Sequence, residues 1–172
     1  MERLESLNQL IELFDFENRK FEFEVGNENP TKSLRQQTKN VPNMPGLYFV
    51  FSEKKSHNDL KSHLYFTLEQ NEMELLYFGK AGGVTRNGKV LKQNLLGRIN
   101  NVVNEDVPRA RYWNAEMIEN NESKFIVYFI LNDNPSQIEK SIYNYFDLNK
   151  LPYPRLNKKL GRKKIGRASC RE

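Results

Sequence analysis

Two short apolar runs, each with a tyrosine close to a glycine, constrain the fold of this chain more than any other feature. Residues 46–51 read GLYFVF and residues 75–80 read LLYFGK. Runs of this length with a high aromatic content are typical of β-strands. If the two strands pair as a hairpin, the hydroxyl groups of Tyr48 and Tyr77 lie over one site.

The pattern along the rest of the chain predicts a small α+β domain. Apolar residues recur at helical spacing in residues 3–16 and 91–104, and the continuous apolar run at 125–131 predicts a strand buried on both faces. Alternating patterns at 21–25 and 64–68 predict two further strands. We therefore expect a core of a three-stranded antiparallel sheet flanked by helices.

The predicted elements divide the chain into three parts. Residues 1–44 are an N-terminal extension, a helix and a strand packed on the core. Residues 45–157 are the core, with a polar insert at 52–74 between its first two strands, and residues 158–172 are a basic tail. Asn134 followed by proline predicts the start of the last core helix, because proline suits the first helical position.

Composition and length favour an intracellular globular protein. The 172 residues are 38% hydrophobic and 28% charged, and no apolar run approaches the ~20 residues that a membrane span needs. The acidic, amphipathic start does not resemble a signal peptide. The single cysteine, Cys170, excludes a disulfide framework within the chain. We expect a cytoplasmic protein with no membrane partner.

Basic residues concentrate near the C-terminal end. Residues 155–172 hold eight Lys or Arg and one Glu, whereas the whole chain has a net charge of +5. Dense positive charge commonly binds the phosphate backbone of nucleic acids; the alternative is a solvated tail. The run at 109–113 combines arginines with aromatic rings, which suits phosphate contact or base stacking, unless its tryptophan closes the edge of the core. The candidate DNA-binding residues are Arg86, Arg109, Arg111, Trp113, Lys158 and Lys159.

Five sequence elements occur in one order along the core. They are Gly46-Leu47-Tyr48, Tyr77-Phe78-Gly79-Lys80-Ala81, Arg98 in a predicted helix, Glu139 in the last core helix, and Asn157 after that helix. This order and spacing resemble the GIY-YIG nuclease superfamily, with leucine and phenylalanine in the places of the usual isoleucines. The resemblance covers residues 45–157, roughly two thirds of the chain.

The resemblance implies a hydrolase that cuts DNA with the help of a divalent metal ion. Such a reaction needs an oriented water, stabilisation of charge on the phosphoryl oxygens and help for the leaving group. By resemblance, Tyr48 positions or deprotonates the water, Tyr77 lines the same site, and Arg98 contacts the scissile phosphate. Glu139 is the implied ligand of Mg²⁺, or of Mn²⁺, and Asn157 supports the site by hydrogen bonding.

The metal-site candidates also have structural interpretations. Glu139 fits a capping box that starts at Ser136, unless Asn134 caps the helix. Lys80 either binds phosphate, or lowers the pKa of the Tyr48 phenol, or is a solvated lysine at a strand end.

The other site candidates have structural interpretations as well. The two tyrosines fit core aromatics with satisfied hydroxyl groups. Arg98 fits an ordinary surface arginine, and Asn157 fits a residue that caps a loop. Val102 stands where many members of the superfamily carry His or Tyr, so an auxiliary base or phosphate contact is either absent or supplied by another residue. His57 and His63 in the insert, the only histidines in the chain, are candidates for it; the alternative is that they are surface residues.

The sequence predicts a compact, type II restriction-like endonuclease, because no zinc finger or helix-turn-helix accompanies the core. Cutting both strands of a duplex with one site per chain would then require a homodimer. Two alternatives stay open. One is a nucleic-acid-binding module that keeps the fold without catalysis, and the other is a structure-specific repair or mobile-element nuclease.

Overall fold

A computed structural model describes residues 8–12, 20–24, 38, 41–53, 64–84, 87–103, 115, 119–120 and 124–157. The predicted DNA-binding residues and both histidines lie outside the described residues, so their predictions are untested. These residues are Arg86, Arg109, Arg111, Trp113, Lys158, Lys159, His57 and His63.

The structure is α+β, as the sequence predicts. In chain order its elements are α1 (Asn8–Ile11), β1 (Lys20–Glu24), β2 (Gly46–Glu53), β3 (Tyr65–Leu68), β4 (Asn71–Ala81), α2 (Leu95–Val103), β5 (Lys124–Leu131) and α3 (Pro135–Leu148). Within the described part of the chain, no helix has the length and apolar character to cross a membrane.

The strands form one antiparallel sheet of five strands, in the order β1-β5-β2-β4-β3. The three strands predicted for the core, β2, β4 and β5, are the middle of this sheet. β1 from the N-terminal extension and β3 from the insert pair with their outer edges. The sheet is therefore wider than the predicted three strands.

The two tyrosine strands pair with each other but do not form a hairpin. Tyr48 on β2 lies opposite Gly79 on β4, and Val50 lies opposite Tyr77. Between them the chain first forms β3, which pairs with the other edge of β4. The turn from β3 to β4 uses two residues at positive φ, Glu69 at 47° and Gln70 at 69°, as expected for a tight two-residue hairpin.

The sheet has an apolar core on each of its faces because side chains alternate along the strands. One core contains Tyr48, Tyr77 and Leu95, so α2 covers this face. The opposite core contains Phe78 and Ile138, so α3 covers the other face. β5 contributes to both cores and is buried on both sides, which confirms the prediction from its continuous apolar run.

Gly46 lies where Leu95, the first residue of α2, packs against the sheet. We expect Gly46→Ala to destabilise the fold by about 1–3 kcal/mol, the usual cost of forcing a methyl group into a filled core. The new methyl group would overlap the backbone carbonyl oxygen of Ile130 and lie 2.6 Å from Cδ1 of Leu95. The backbone of a central strand cannot move aside cheaply. The free energy of unfolding in urea measures the effect.

Gly97→Ala in α2 is the matched control. The three atoms nearest to its methyl group would all belong to the side chain of Gln93, with Cγ at 3.0 Å. That flexible side chain can shift, at the cost of its 3.3 Å hydrogen bond from Nε2 to the Gly97 carbonyl oxygen. Alanine also favours a helix over glycine by ~1 kcal/mol. Gly97→Ala should therefore leave stability unchanged or raise it. Equal losses from both substitutions would contradict the close packing at Gly46.

Candidate active site

The C-terminal end of β4 brings the starts of the two long helices together. Gly82 and Gly83 follow β4 with positive φ angles of 68° and 78°. The backbone N–H of Gly82 donates to the carbonyl oxygen of Gln93 at 2.8 Å, two residues before α2 begins. A Cβ on Gly83 would lie 2.8 Å from Cδ of Pro135, the first residue of α3. Helices on opposite faces thus begin at one end of the sheet, and their N-termini favour anions there.

Arg98 lies in the first turn of α2 at this end of the sheet. Its backbone N–H donates to the carbonyl oxygen of Asn94 at 2.9 Å. The side chain is half-buried, and its Nε is buried with no hydrogen-bond partner among the described residues. An unsatisfied buried donor costs ~1–3 kcal/mol. Its environment therefore differs from that of an ordinary surface arginine.

Tyr48 and Tyr77 lie side by side on the face that α2 covers. Their ring centroids are 5.7 Å apart and the rings are tilted by 35°. The ring of Tyr77 lies over Gly79, where a Cβ would come within 2.8 Å of the Tyr77 hydroxyl oxygen. The lack of a side chain at Gly79 therefore makes room for this ring. Tyr48 is 1% exposed and Tyr77 5% exposed, so both rings also belong to the core, as their structural interpretation expects.

Glu139 on α3 is joined to β4 by an ion pair with Lys80. Oε2 of Glu139 lies 3.0 Å from Nζ of Lys80, and the side chains are 21% and 32% exposed, respectively. Nζ of Lys80 also donates to Oγ of Ser136 at 3.1 Å. Ser136 and Glu139 are one helical turn apart on the same side of α3. Lys80 therefore bridges the strand to two neighbouring side chains of the helix.

The capping-box interpretation of Glu139 does not apply. Asn134 occupies the N-cap position of α3, with proline at the start of the helix, as the sequence predicts, although its side chain makes no capping hydrogen bond to the backbone. Nδ2 of Asn134 donates to Oε1 of Gln137 at 3.2 Å. Gln137 thus occupies the third helical position, where a capping box has its acidic or amide side chain. The carboxylate of Glu139 faces Lys80 instead.

Asn157 is a buried clamp on the outer edge of β4 and is 3% exposed. Its Oδ1 accepts a hydrogen bond from the backbone N–H of Phe78 at 3.0 Å, and its Nδ2 donates to the Phe78 carbonyl oxygen at 2.9 Å. The side-chain amide thus satisfies both backbone groups as a neighbouring strand would. Nδ2 also donates to the hydroxyl oxygen of Tyr143 on α3 at 3.1 Å.

The residues before Asn157 follow the same edge. The backbone N–H of Leu156 donates to the carbonyl oxygen of Leu76 at 2.9 Å. Nε of Arg155 lies 3.7 Å from Oε1 of Glu74, the last β4 residue that pairs with β3. Residue numbers rise together on the two segments, so residues 155–157 run beside β4 toward its C-terminal end. They complete the edge that β3 leaves uncovered.

An aromatic cluster behind Asn157 supports this clamp. The ring centroid of Tyr143 is 4.8 Å from that of Phe78 and 5.7 Å from that of Tyr153. The hydroxyl of Tyr153 donates to Oδ1 of Asp147. This hydrogen bond, helped by burial, raises the pKa of Tyr153 from 10.0 to about 12. Tyr153 therefore stays a protonated donor at neutral pH and serves packing.

The residues at this end fit a divalent metal ion that is bound through one carboxylate. No group of three or more His, Cys, Asp or Glu side chains is placed to hold a metal in the part of the chain that the structure describes. Mg²⁺ prefers oxygen ligands and keeps several waters, so one or two carboxylates are enough to bind it. Glu139 offers such a carboxylate, partly exposed and already paired with a cation.

Comparisons with known protein families, with curated proteins and with solved structures found no match for this chain. The resemblance to GIY-YIG nucleases therefore rests on the residues of this chain alone. Six residues were predicted for the catalytic site. The structure places Tyr48 and Tyr77 on the face of the sheet that α2 covers, and Arg98 on α2 itself. Lys80 and Glu139 meet on the face under α3, and Asn157 holds the edge between.

Sequence reasoning missed three partners of residues in the site or directly beside it. They are Ser136, which binds Lys80; Tyr143, which binds Asn157; and Glu74, which pairs with Arg155. Only the glutamate gave a sequence signal, since an acidic side chain within an otherwise apolar strand needs a partner. Serine and tyrosine in a helix give no comparable signal.

We expect Asn157→Asp to lower the free energy of unfolding by at least about 2 kcal/mol. The substitution replaces the amide donor with a carboxylate oxygen that faces the carbonyl oxygen of Phe78 and the hydroxyl of Tyr143. Urea denaturation measures the loss. Asn71→Asp is the control, because its Nδ2 donates to the Glu69 carbonyl oxygen in an exposed turn at 3.3 Å. That variant should stay within about 0.5 kcal/mol of wild type, and an equally small effect at Asn157 would contradict the clamp.

Proposed function

We propose that this chain is a metal-dependent DNA endonuclease of the GIY-YIG class that hydrolyses phosphodiester bonds. One observation carries the proposal most: Arg98 has a buried Nε with no partner among the described residues, at the end of the sheet where the helix of Glu139 also begins. A guanidinium whose Nε has no partner in the described fold still has an N–H donor to offer to a phosphate. The order of the five motifs along the chain supports the same reading.

Arg98 would stabilise the charge that develops on the phosphoryl oxygens. A guanidinium presents two parallel N–H donors to such oxygens, and it stays charged at any physiological pH. Its place in the first turn of α2 adds the partial positive charge of the helix N-terminus. Fixed donors of this kind need no reorganisation during the reaction, which is why they lower the barrier effectively.

Tyr48 and Tyr77 would hold the attacking water. In the proposed step the oxygen of water attacks phosphorus, and the bond from phosphorus to the leaving oxygen breaks. One proton of the water passes through a tyrosine hydroxyl to solvent, and the leaving oxygen takes a proton from solvent. A free phenol has a pKa near ~10, so each hydroxyl works best by orienting the water and relaying its proton.

Glu139 would hold a hydrated Mg²⁺, or Mn²⁺, through its carboxylate. When bound, such an ion neutralises negative charge on the scissile phosphate and the leaving oxygen. In the metal-free protein Lys80 holds this carboxylate from the strand side, and the same ammonium group donates to Ser136 on the helix. Asn157 would position the site indirectly. It fixes the backbone of Phe78, which is next to Tyr77 and two residues before Lys80.

Plasmid cleavage in the presence of Mg²⁺ tests the proposal. The wild-type protein should nick or linearise supercoiled DNA, and chelation of the metal should stop the reaction. Arg98→Ala and Glu139→Gln should each slow cleavage by about 10²- to 10³-fold, the usual loss when one preorganised charge-stabilising group is removed. Arg98→Ala should stay within about 1 kcal/mol of wild-type stability, because it removes no hydrogen bond of Nε to the described residues.

Glu53→Gln is the matched control for Glu139→Gln. It makes the same chemical change at an exposed residue that pairs with Met73, toward the other end of β4, and it should cleave at the wild-type rate. Intact plasmid across many sequences, with both Arg98→Ala and Glu139→Gln indistinguishable from wild type in DNA binding and cleavage, would overturn the proposal.

A nucleic-acid-binding module without catalysis is the second candidate. The near-complete burial of Tyr48 and Tyr77 favours it, because a buried phenol is far from bulk water. Salt-dependent DNA binding by wild-type protein that never cuts would select this function.

The kind of DNA substrate is a separate question within the proposed class. We propose a type II restriction-like enzyme that acts as a homodimer, since one site per chain cuts one strand. End sequencing of a cleaved random-sequence plasmid library should then give one discrete motif. Preferential cutting of branched over linear DNA would instead identify a structure-specific repair or mobile-element nuclease.

A further inference from the structure

We propose that Lys80 is the counter-ion of Glu139 in the metal-free protein and leaves Glu139 when a divalent metal ion binds. Its freed ammonium group then contacts a phosphate of the bound DNA. The inference rests on the proposed function, because it takes Glu139 as the metal ligand. It adds to that function an exchange at the Glu139 carboxylate, where the metal ion replaces Lys80. The lysine then binds Glu139 before the metal arrives and a DNA phosphate afterwards.

The first half of the exchange follows from where the ammonium group lies. Nζ of Lys80 is 3.0 Å from Oε2 of Glu139, which is hydrogen-bond distance. A divalent ion bound to that carboxylate would sit within a few ångströms of a like charge. Repulsion between such close charges is strong at the partly buried edge of a protein, so the lysine and the metal compete for one partner.

The ion pair between Lys80 and Glu139 can also separate at low cost. Both side chains are partly exposed, Lys80 by 32% and Glu139 by 21%, so water can hydrate each charge when the pair separates, which keeps the net stabilisation by such a pair small. Lysine carries its charge on a flexible stem with rotatable donors. The contact from Nζ to Oγ of Ser136 at 3.1 Å gives the ammonium group a second partner that a metal at Glu139 does not remove.

The ion pair has a use in the metal-free protein. A carboxylate that has lost its partner at a half-buried site is unfavourable and free to rotate. Lys80 holds Glu139 toward the end of β4, so that the ligand is already in place when the metal arrives. The pair therefore preorganises the site at the cost of some metal affinity.

The second half of the exchange follows from the position of Lys80 on β4. It is the second-last residue of the strand, and only Ala81 separates it from the two glycines next to which the helices begin. Once Glu139 is bound to the metal, the nearest new anion at this end is the phosphate that Arg98 is proposed to bind. Metal binding should then strengthen DNA binding, and the coupling should pass through Lys80.

Mn²⁺ binding to the full-length, DNA-free protein tests the exchange without reference to cleavage. Electron paramagnetic resonance of unbound Mn²⁺ gives the dissociation constant. We expect Lys80→Met to bind Mn²⁺ about tenfold more tightly than wild type, because a competing like charge is gone, and Glu139→Gln to lose this site. At saturating Mn²⁺, Lys80→Met should cut DNA more slowly than wild type, because the phosphate contact is lost.

Lys140→Met is the matched control, since it removes one positive charge from the exposed residue next to Glu139. It should change Mn²⁺ affinity by less than about twofold, as expected for a solvent-screened charge. Lys80→Gln is the second variant if Lys80→Met does not fold, as judged by urea denaturation.

The outcomes separate the two proposals. If Mn²⁺ binding depends on Glu139 but Lys80→Met binds no more tightly than wild type, the exchange is wrong and the proposed function stands. Tighter binding with wild-type cleavage by Lys80→Met would overturn the phosphate contact. If wild-type protein neither cuts DNA nor binds Mn²⁺ through Glu139, the proposed function itself fails.

Discussion

β4 needs hydrogen-bond partners along both of its edges, and the candidate site depends on how its outer edge is completed. The strand has 11 residues, whereas its outer neighbour β3 has only four. Beyond Glu74 the strand bonds first to Leu64, through the N–H of Leu75, and then to a short segment, through the backbone of Leu156 and the side chain of Asn157. Because a buried strand with unpaired backbone groups is costly, this short segment fixes the part of β4 that carries Tyr77 and Lys80.

The alternation of side chains along β4 explains why the candidate site lies at a strand end. Tyr77 faces α2, whereas Lys80 meets Glu139 on α3. Groups on opposite faces of a sheet can serve one substrate only where the sheet stops. At that point Gly82 and Gly83 let the starts of α2 and α3 approach the strand, one from each face. Both helix N-termini thus add their partial positive charge to the same region.

Local sequence patterns predicted the elements better than their arrangement. The strands around Tyr48 and Tyr77, the buried strand β5, and the Asn134 cap of α3 follow from residue spacing and turn chemistry, and the structure confirms them. The alternating pattern at 64–68 predicted β3 as well, but not that β3, rather than the first tyrosine strand, forms the hairpin with β4. Strand order depends on which edges pair, and such pairing leaves no mark in short-range periodicity.

The partners of the site residues were beyond sequence reasoning for the same reason. Asn157 binds the backbone of a residue 79 positions earlier, and Lys80 binds a serine 56 positions later. Neither distance has a local signature. The motif order did predict Lys80 and Glu139 as site residues. The structure brings these two together as an ion pair. It also shows that the two tyrosines are core residues, which was one of the two interpretations that the sequence left open.

The most direct measurement of whether α2 and α3 serve one site is the broadening of backbone amide NMR signals by Mn²⁺. If Glu139 holds the ion at the shared end of β4, the amides of Gly79, Gly82 and Arg98 should broaden first, although Arg98 lies on the other face of the sheet. The amide of Asn71, about 30 Å away along the strand at ~3.3 Å per residue, should stay sharp. Broadening confined to α3, or equal at both ends of β4, would contradict a single shared site.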